Sequence, residues 1–362
     1  MRVVYTDRHT LHATDHLQRD GFPFVTVEVP ARAEIILGAL QAEGIGPAIA
    51  PTDHGLAPIL AVHDPDYVDF LRNVFAHSAA YYGAALPVFP DTFATRRIRR
   101  KPNGFLGLKG YYAFGDESPI VEGTWTAAYW SAQCALTAAD EVRAGEPCAY
   151  ALCRPPGHHA AADLYGGVCY LNNAAIAARY LQLSLPPAGE GPGMRSAVSV
   201  AVLDIDYHHG NGTQEIFYAD PTVLYCSLHA HPDFEYPYYW GGADERGEGA
   251  GEGFNRNWPL PIGTDDAAYL SALDEALGAI RDFNPAALVV SAGFDIAAGD
   301  PWGGLSVTLD GLREIGRRVA ALGRPTVIVQ EGGYRRETLG ASAVAFLRPF
   351  ASKAGWDADE RG

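Results

Sequence analysis

The side chains best suited to chemistry lie in the segment Asp204-Ile205-Asp206-Tyr207-His208-His209-Gly210-Asn211-Gly212, which directly follows an apolar run over residues 197–203. Alternate side chains of an extended chain point to the same side, so Asp204, Asp206 and His208 are expected to converge. Two carboxylates and an imidazole crowded behind a buried strand would be costly unless a cation held them. The segment therefore predicts a metal site at the end of a strand. The alternative is a strand end where the acids cap the next helix and the histidines are ordinary surface residues.

Three further apolar runs end in polar residues flanked by glycine or proline. The endings of these runs are Arg154-Pro155-Pro156-Gly157-His158-His159, Ala292-Gly293-Phe294-Asp295 and Gln330-Glu331-Gly332-Gly333-Tyr334. Ligands of parallel sheets bind at the carboxyl ends of the strands, so these side chains are expected to meet there. Asp206, His208 and Asp295 would then form three ligands with one open position, as in catalytic zinc sites. The same donors also suit Fe(II) or Co(II).

The neighbouring side chains indicate what such a metal could be used for. A bound metal would polarise a carbonyl and make a water nucleophilic at neutral pH. His158 and His159 could supply a general base and a general acid, and Tyr334 is a neutral donor suited to a developing oxyanion. We therefore predict hydrolysis of an amide or ester without a covalent intermediate. Each strand end also has a plainer interpretation, as a Pro-Pro-Gly turn, a helix cap at Asp295 or a core aromatic at Tyr334.

The order of the surrounding elements predicts an α/β fold, a single domain over residues 1–362 with a mostly parallel central sheet and helices on both faces. Strands rich in Val, Leu, Ile and Ala are predicted at 1–7, 148–153, 197–203, 222–228, 286–291 and 326–329. Helices are predicted at 33–40, 67–75, 125–143, 172–183, 312–322 and 339–350, with a further helix capped by Thr264. Two long connections, at about 86–122 and 229–257, are predicted to be functional loops.

Composition narrows the classes of partner. The 362 residues include 43 acidic and 27 basic side chains, for a net charge of −16, which disfavours nucleic acid and anionic membranes and favours cationic partners. The basic run 96–101 is therefore interpreted as a solvated loop or a subunit contact. Five cysteines without a C-x-x-C pair are typical of reduced core thiols. Because no stretch resembles a signal peptide or a transmembrane span, a cytoplasmic location is expected.

Taken together, the four strand-end motifs make the sequence similar to the zinc-dependent histone deacetylase superfamily, whose members have the arginase-deacetylase fold. The resemblance covers nearly the whole chain. It is greatest to the acetylpolyamine amidohydrolase branch, through Gly110-Tyr111-Tyr112, Gly123-Thr124-Trp125 and the Asn211 variant of the central motif. The resemblance implies a zinc-dependent deacetylase acting on small cationic acetylated amines such as acetylated polyamines. Protein acetyl-lysine is the alternative substrate.

The same likeness assigns roles to individual residues. It implies that Asp206, His208 and Asp295 bind zinc. It makes His159 the general base, His158 its electrostatic partner and Tyr334 the oxyanion donor, with Asp204 facing His158 and Asn211 facing His159. It also implies structural potassium ions. The residues implied for a first potassium site are Asp204, Asp206, His208, Ser227 and Leu228, and those for a second site are Phe217, Asp220 and Val223.

The likeness further implies a substrate tunnel, which relatives usually line with two aromatic residues. The matching positions hold Gly167 and Val168 on one wall and Tyr236 on the other, so Val168 would leave the tunnel wider than in relatives. The acidic residues expected to bind a cationic substrate are Asp116 and Glu117, whereas Leu106 stands where another acid is typical. Related enzymes often dimerise through this first long loop, so a homodimer is expected.

Two alternatives from other functional classes are weaker. An arginase-like ureohydrolase shares the fold but needs a second metal, and Ala297 stands where a bridging carboxylate would be wanted. A catalytically silent binder of acetylated amines would keep the pocket. Retention of Tyr334 and both histidines of the 154–159 motif favours an enzyme instead.

Overall fold

A parallel sheet of eight strands forms the centre of the part of the chain that the computed structural model describes, residues 1–19, 21–94, 100–185 and 198–351. The strands are β1 (Arg2–Val4), β2 (Gln18–Arg19), β3 (Phe22–Pro23), β4 (Ala48–Ile49), β5 (Cys148–Ala151), β6 (Val200–Asp204), β7 (Val223–Ala230), β8 (Asn255–Leu260), β9 (Ala287–Ala292) and β10 (Thr326–Gln330). The sheet order is β4-β1-β5-β10-β9-β6-β7-β8, while β2 and β3 form a separate antiparallel pair. All neighbours in the large sheet are parallel, which confirms the predicted α/β class.

Helices cover both faces of this sheet. They are α1 (Ala31–Ala42), α2 (Ala57–Leu60), α3 (Pro65–Tyr82), α4 (Phe105–Tyr111), α5 (Thr124–Arg143), α6 (Asn173–Ser184), α7 (Asn211–Phe217), α8 (Asp266–Phe283), α9 (Leu309–Ala320) and α10 (Arg336–Ala351). Neighbouring residues of a strand point to opposite faces, so Leu203 packs in the core with α1, α8, α9 and α10, whereas Val202 packs in the core with α3, α5 and α6. Burial on both faces explains why the strands are apolar throughout instead of alternating.

The site lies where four adjacent strands of this sheet end. In the order β5-β10-β9-β6, these strands lead into the motifs that carry His159, Tyr334, Asp295 and Asp206, respectively. Because the strands are parallel and in register, with Asp204 opposite Ser291 and Gln330 opposite Ala292, their carboxyl ends lie side by side. The fold therefore brings together four motifs that are far apart in the sequence.

The two predicted long loops contain more regular structure than expected. Helix α4 lies within 86–122, and β8 begins inside 229–257, where β7 also extends to Ala230. The sequence of β8, Asn-Arg-Asn-Trp-Pro-Leu, hides the strand because its polar Asn255 and Asn257 turn inward and both donate to Gln214. Pro259 is tolerated because β8 is an edge strand.

Of the two predicted helix N-caps, one is wrong and one is confirmed. Thr264 does not cap α8, because its hydroxyl donates to the carbonyl of Pro261, and the next residue, Asp265, accepts from Ala268 N at 3.0 Å instead. Asn172 caps α6 as predicted, accepting from Ala175 N at 2.9 Å.

Other features of the sequence have mixed outcomes. The five cysteines are free and buried, as predicted. Residues 96–99 of the basic run lie outside the described residues, and the described Lys101 forms an ion pair with Asp66. Among the helices of the described ranges, none is both long enough and apolar enough to cross a membrane.

The two helix caps predict a difference in stability. Asp265→Ala removes one exposed cap bond and should lower the free energy of unfolding by about 1 kcal/mol. Asn172 is buried and also donates to the carbonyl of Ala160 at 2.9 Å, so Asn172→Ala leaves a buried acceptor without a partner, at an additional cost of about 1–3 kcal/mol. Thermal unfolding followed by far-UV circular dichroism should therefore show a larger drop in midpoint for Asn172→Ala. Equal drops would mean that Asn172 acts only as a cap.

Candidate active site

The central motif forms a turn and not a continued strand. Strand β6 ends at Asp204, so the alternation expected to carry Asp204, Asp206 and His208 to one side is wrong as a description of the backbone. Carboxylates direct the turn instead, because Asp204 Oδ1 accepts from Asp206 N at 3.1 Å and Asp206 Oδ1 accepts from His208 N at 2.9 Å. Asp206 and His208 still converge, since each of the two aspartates holds the backbone two residues further on.

Asp206, His208 and Asp295 form one compact group of potential metal ligands. One donor atom from each lies within 4.8 Å of the others. Both carboxylates are buried, and His208 Nδ1 lies 3.3 Å from Asp206 Oδ1 and 3.4 Å from Asp295 Oδ2. Asp295 Oδ2 is buried, and its contact with His208 Nδ1 is too long to count as a good hydrogen bond, so within the described residues this oxygen is available to a cation.

The electrostatics of this group favour a cation. Burial raises the pKa of Asp295, and repulsion from Asp206 raises it further, to about 7. Burial would lower the pKa of His208, but hydrogen bonds and charge attraction from the two carboxylates raise it to about 9. The group thus binds a proton tightly at the place where a divalent ion would neutralise the same charges. A nitrogen donor and two oxygen donors fit zinc, Fe(II) or Co(II).

A second group of potential ligands, His158, Cys169 and Glu331, lies nearby in the described residues. Its donors are already engaged: Glu331 Oε2 accepts from Gly157 N at 2.6 Å, Glu331 Oε1 accepts from Ser291 at 3.0 Å, and His158 Nδ1 lies 3.1 Å from Asp204. Burial raises the pKa of the Cys169 thiol, which therefore stays protonated. The hydrogen bonds of this group hold the turn at Gly157 and His158 in place. The group is not the carboxylate-bridged second site that a ureohydrolase would need.

The two neighbouring histidines differ in protonation. Burial would lower the pKa of His158, but the carboxylates of Asp206 and Asp204 raise it to about 10, so His158 carries a positive charge. Burial and the positive charges of His158 and His208 together hold the pKa of His159 well below its usual value, so His159 is neutral. The two rings lie 4.1 Å apart between centroids. One is therefore a fixed charge and the other an available base.

Asn211 determines which nitrogen of His159 can act as the base. His159 Nδ1 lies 2.7 Å from Asn211 Oδ1, and a carbonyl oxygen can only accept a hydrogen bond. Nδ1 must therefore carry the proton, which leaves Nε2 of the neutral ring unprotonated. The expected pairs, Asp204 with His158 and Asn211 with His159, are both present.

The turn that carries Tyr334 is held from two sides. Arg32 Nη2 donates to the carbonyl of Glu331 at 2.7 Å and Arg32 Nε to that of Gly333 at 2.6 Å, while its guanidinium lies 4.6 Å from the centre of the Tyr334 ring. On the other side, Asp300 Oδ2 accepts from Tyr334 N at 2.7 Å and Arg335 N at 2.9 Å. The tyrosine is therefore fixed by its backbone and its ring. Burial raises the pKa of its hydroxyl, which stays a neutral donor.

A buried ion-pair network supports both the motif of the two histidines and the Tyr334 turn. Glu28 accepts from Arg32 at 3.0 Å and from Arg154 at 2.9 and 3.0 Å, and all three side chains are buried. Arg154 begins the motif of the two histidines, and Arg32 contacts the Tyr334 turn. Breaking such a buried network by removing one partner costs about 3–5 kcal/mol.

A cavity of about 450 Å³ opens onto these groups. Its lining residues are Glu117, His159, Gly167, His208, Glu235, Tyr236, Pro301, Trp302, Gly303 and Tyr334. The volume is typical of a small-molecule site. The cavity is thus bordered by the potential metal ligand His208, the neutral His159, Tyr334 and the carboxylates of Glu117 and Glu235.

The walls of the cavity differ from the expected tunnel at one position. Tyr236 and Gly167 border the cavity as predicted, but Val168 does not. Val168 is buried in a left-handed conformation, with φ 57°, and its N–H donates to Ser118 Oγ at 2.8 Å, which holds it behind the wall. The second aromatic wall is instead Trp302, whose ring centroid lies 4.9 Å from that of Tyr334.

The predicted substrate-binding carboxylates occupy different environments. Glu117 borders the cavity and accepts from Gly167 N, with the Tyr236 hydroxyl 3.4 Å from the same oxygen. Asp116 is exposed, forms an ion pair with Arg19 at 2.7 Å and does not border the cavity. Leu106 is exposed in α4. Of the two acids, Glu117 is the one placed to meet a ligand.

The residues expected to bind potassium lie in two groups. Ser227 pairs with Asp204 in the sheet, and its hydroxyl lies 2.9 Å from His229 Nδ1, with Leu228 following in β7. Phe217, Asp220 and Val223 lie at the connection from α7 to β7, where Asp220 N donates to the carbonyl of Phe217 at 2.9 Å.

Sequence reasoning missed several residues of the site. They are Glu28, Arg32, Asp300, Trp302, Glu235 and Glu331. Glu331 and Asp300 adjoin recognised motifs, so their proximity to Tyr334 and Asp295 was a usable signal. Arg32 and Glu28 carry no such signal because their contacts are distant in sequence, 301 residues from Arg32 to Gly333 and 126 residues from Glu28 to Arg154.

Comparisons with known proteins place this geometry in context. A model of the histone deacetylase domain matches residues 26–349. The chain is 44% identical over 358 residues to acetylpolyamine amidohydrolase 1 of Pseudomonas aeruginosa, covering 98% of this chain and 100% of that one. It is 47% identical over 358 residues to acetylpolyamine amidohydrolase of Burkholderia pseudomallei, with the same coverage. A crystal structure of acetylpolyamine aminohydrolase from Burkholderia pseudomallei superposes with a TM-score of 0.88 at 43% identity, covering 99% of both chains.

The ligand group leads to a prediction about metal content. His208→Ala removes the only nitrogen donor of the group and should yield protein that loses zinc on dialysis, whereas wild type should keep one ion per chain. His231→Ala is the matched control because His231 is partly exposed and pairs with Asp233 away from the group. Elemental analysis after dialysis against a weak chelator measures both. Zinc retained by His208→Ala at the wild-type level would remove His208 from the ligand set.

Proposed function

Because the chain belongs to the histone deacetylase family, we propose that it is a metal-dependent hydrolase that removes acetyl groups from small cationic amines, above all acetylated polyamines. The observation that carries the proposal is the single cavity shared by His208, His159, Tyr334 and Glu117. The first three supply the chemistry of amide cleavage, and the carboxylate supplies a charge that a neutral acetylated amide would not need. The names of the two relatives, which match along their full length, support this substrate class.

Zinc is the metal proposed for Asp206, His208 and Asp295. The support is the buried set of two oxygen donors and one nitrogen donor, and the availability of Asp295 Oδ2 to a cation. When bound, zinc would supply Lewis acidity that polarises the acetyl carbonyl and makes a water nucleophilic at neutral pH. The remaining chemistry falls to side chains of the chain itself.

His159 handles the proton. Its Nδ1 proton is held by Asn211, so Nε2 accepts a proton from the attacking water and then donates it to the departing amine nitrogen. The charged His158 ring beside it disfavours a second positive charge, which promotes release of that proton. His158 is thus an electrostatic partner, held in its charged form by Asp204.

Tyr334 stabilises the developing charge. Its hydroxyl stays protonated and is fixed by Arg32 and Asp300, so it donates a hydrogen bond to the carbonyl oxygen as that oxygen becomes negative. A donor already held in place loses little free energy to reorganisation during the reaction.

Structural potassium ions are proposed at the two groups of residues described above. Support for the first is the buried carboxylate of Asp204 beside the Ser227 hydroxyl. Support for the second is the run of carbonyl oxygens around Phe217 and Asp220, since hard cations prefer oxygen ligands. A cytoplasmic location, supported by five free cysteines, remains a prediction, as do the homodimer and the lack of nucleic-acid binding.

Tyr334→Phe tests the chemical step. If the hydroxyl contacts the oxygen only as charge develops, kcat should fall by about 10²–10³ while KM and zinc content stay nearly unchanged. Tyr239→Phe, which alters an exposed tyrosine outside the cavity, should behave as wild type. Steady-state kinetics of amine release measure both. A rise in KM at unchanged kcat would assign Tyr334 to substrate binding.

Glu117→Gln tests charge selection. The amide can still accept from Gly167 N, so the wall should persist while the charge is lost. We expect kcat/KM for N-acetylputrescine to fall about tenfold, equivalent to about 1.4 kcal/mol, with no change for uncharged N-pentylacetamide of similar length. Asp116→Asn is the matched control because Asp116 already pairs with Arg19 outside the cavity.

Two further results bear on the substrate class. Raising the salt concentration should reduce the preference for the charged substrate, because exposed charges are screened within about 10 Å at 0.1 M. Equal turnover of the charged and uncharged amides, insensitive to salt and to Glu117→Gln, would contradict the selection of cations. Faster turnover of an acetyl-lysine peptide would favour a protein deacetylase.

A further inference from the structure

The cavity contains a second carboxylate that the proposed mechanism does not use. Glu235 borders the same space as Glu117, and neither side chain forms an ion pair with Lys, Arg or His in the part of the chain that the structure describes. Other acidic side chains near the opening are paired, Asp116 with Arg19 and Asp233 with His231. The cavity wall therefore carries two carboxylates, Glu117 and Glu235, that have no cationic partner among the described residues.

The two carboxylates have different neighbours. Glu117 contacts the Gly167 wall and lies 3.4 Å from the Tyr236 hydroxyl. The Glu235 carboxylate lies near the Tyr207 hydroxyl. That hydroxyl packs against Gly304, beside the Gly303 wall, since a Cβ on Gly304 would lie 2.6 Å from it. A single ammonium bound beside one carboxylate would leave the other without a cationic partner.

Aromatic surfaces complete a path for a long cation. Tyr236 stacks on Phe114 with ring centroids 6.1 Å apart, and Trp302 borders the same cavity. Such faces attract ammonium groups and pack against methylene chains. The cavity volume of about 450 Å³ lies within the usual range for small-molecule sites.

We infer that Glu235 forms a second ammonium subsite, so that the enzyme selects acetylated triamines over acetylated diamines. This inference rests on the proposed function and extends it from the charge of the substrate to its length. Glu117 pairs with one ammonium of the substrate and Glu235 with the other. Only a substrate with two ammonium groups satisfies both carboxylates.

A matched pair of substrates tests the subsite. N-acetylputrescine and N8-acetylspermidine share the four-carbon spacer next to the amide and differ by one aminopropyl group. Glu235→Gln should lower kcat/KM for N8-acetylspermidine about threefold to tenfold, through KM, and leave N-acetylputrescine within about twofold of wild type. Asp233→Asn removes a charge two residues away that does not border the cavity, and it should change neither substrate.

The outcomes separate this inference from the function on which it rests. If wild type hydrolyses both amines and Glu235→Gln lowers both equally, or neither, the second subsite is overturned and the deacetylase stands. If Asp233→Asn reproduces the selective loss, the effect belongs to the general field of the loop and the subsite is again overturned. If wild type hydrolyses neither amine, the proposed function fails and the subsite fails with it. Zinc content measured for each variant separates loss of the subsite from loss of the metal.

Discussion

The crowding of buried carboxylates at the carboxyl end of the sheet is the constraint on which the rest of the structure depends. Asp204, Asp206, Asp295 and Glu331 are all buried at the ends of neighbouring strands. Burial alone would raise the pKa of each of these groups, and each meets an imidazole, backbone N–H groups or a place for a metal. The protonation states of the two adjacent histidines follow from this charge distribution, and so does the capacity to hold a divalent ion.

A second network of charges connects the motif of the two histidines to the Tyr334 turn. Glu28 joins Arg154, at the base of the histidine motif, to Arg32, which holds the Tyr334 turn. The backbone of that turn is completed from the far side by Asp300. Supports of this kind hold the motifs of His159 and Tyr334, which both border one cavity. The chemical groups and their supports therefore come from different parts of the chain.

Sequence alone predicts the parts of this arrangement that depend on local pattern. Apolar runs such as 200–203 indicate buried parallel strands, and polar residues such as Asp295 directly after them indicate a shared edge, so the fold class and the convergence of the motifs follow. The rest depends on tertiary packing. Strand β8 shows no apolar pattern because its asparagines turn inward, and Val168 lies behind the wall because its backbone is left-handed. Trp302 and Glu235 border the cavity through loop positions that no periodicity marks.

We propose that one metal ion held by Asp206, His208 and Asp295 makes this chain a deacetylase of cationic amines. The most direct measurement is a zinc titration of protein from which a chelator has removed metal, with acetate release from N-acetylputrescine as the readout. We expect activity to rise in proportion to added zinc and to reach its plateau at one ion per chain. Full activity without metal, or a plateau that requires two ions per chain, would contradict this proposal.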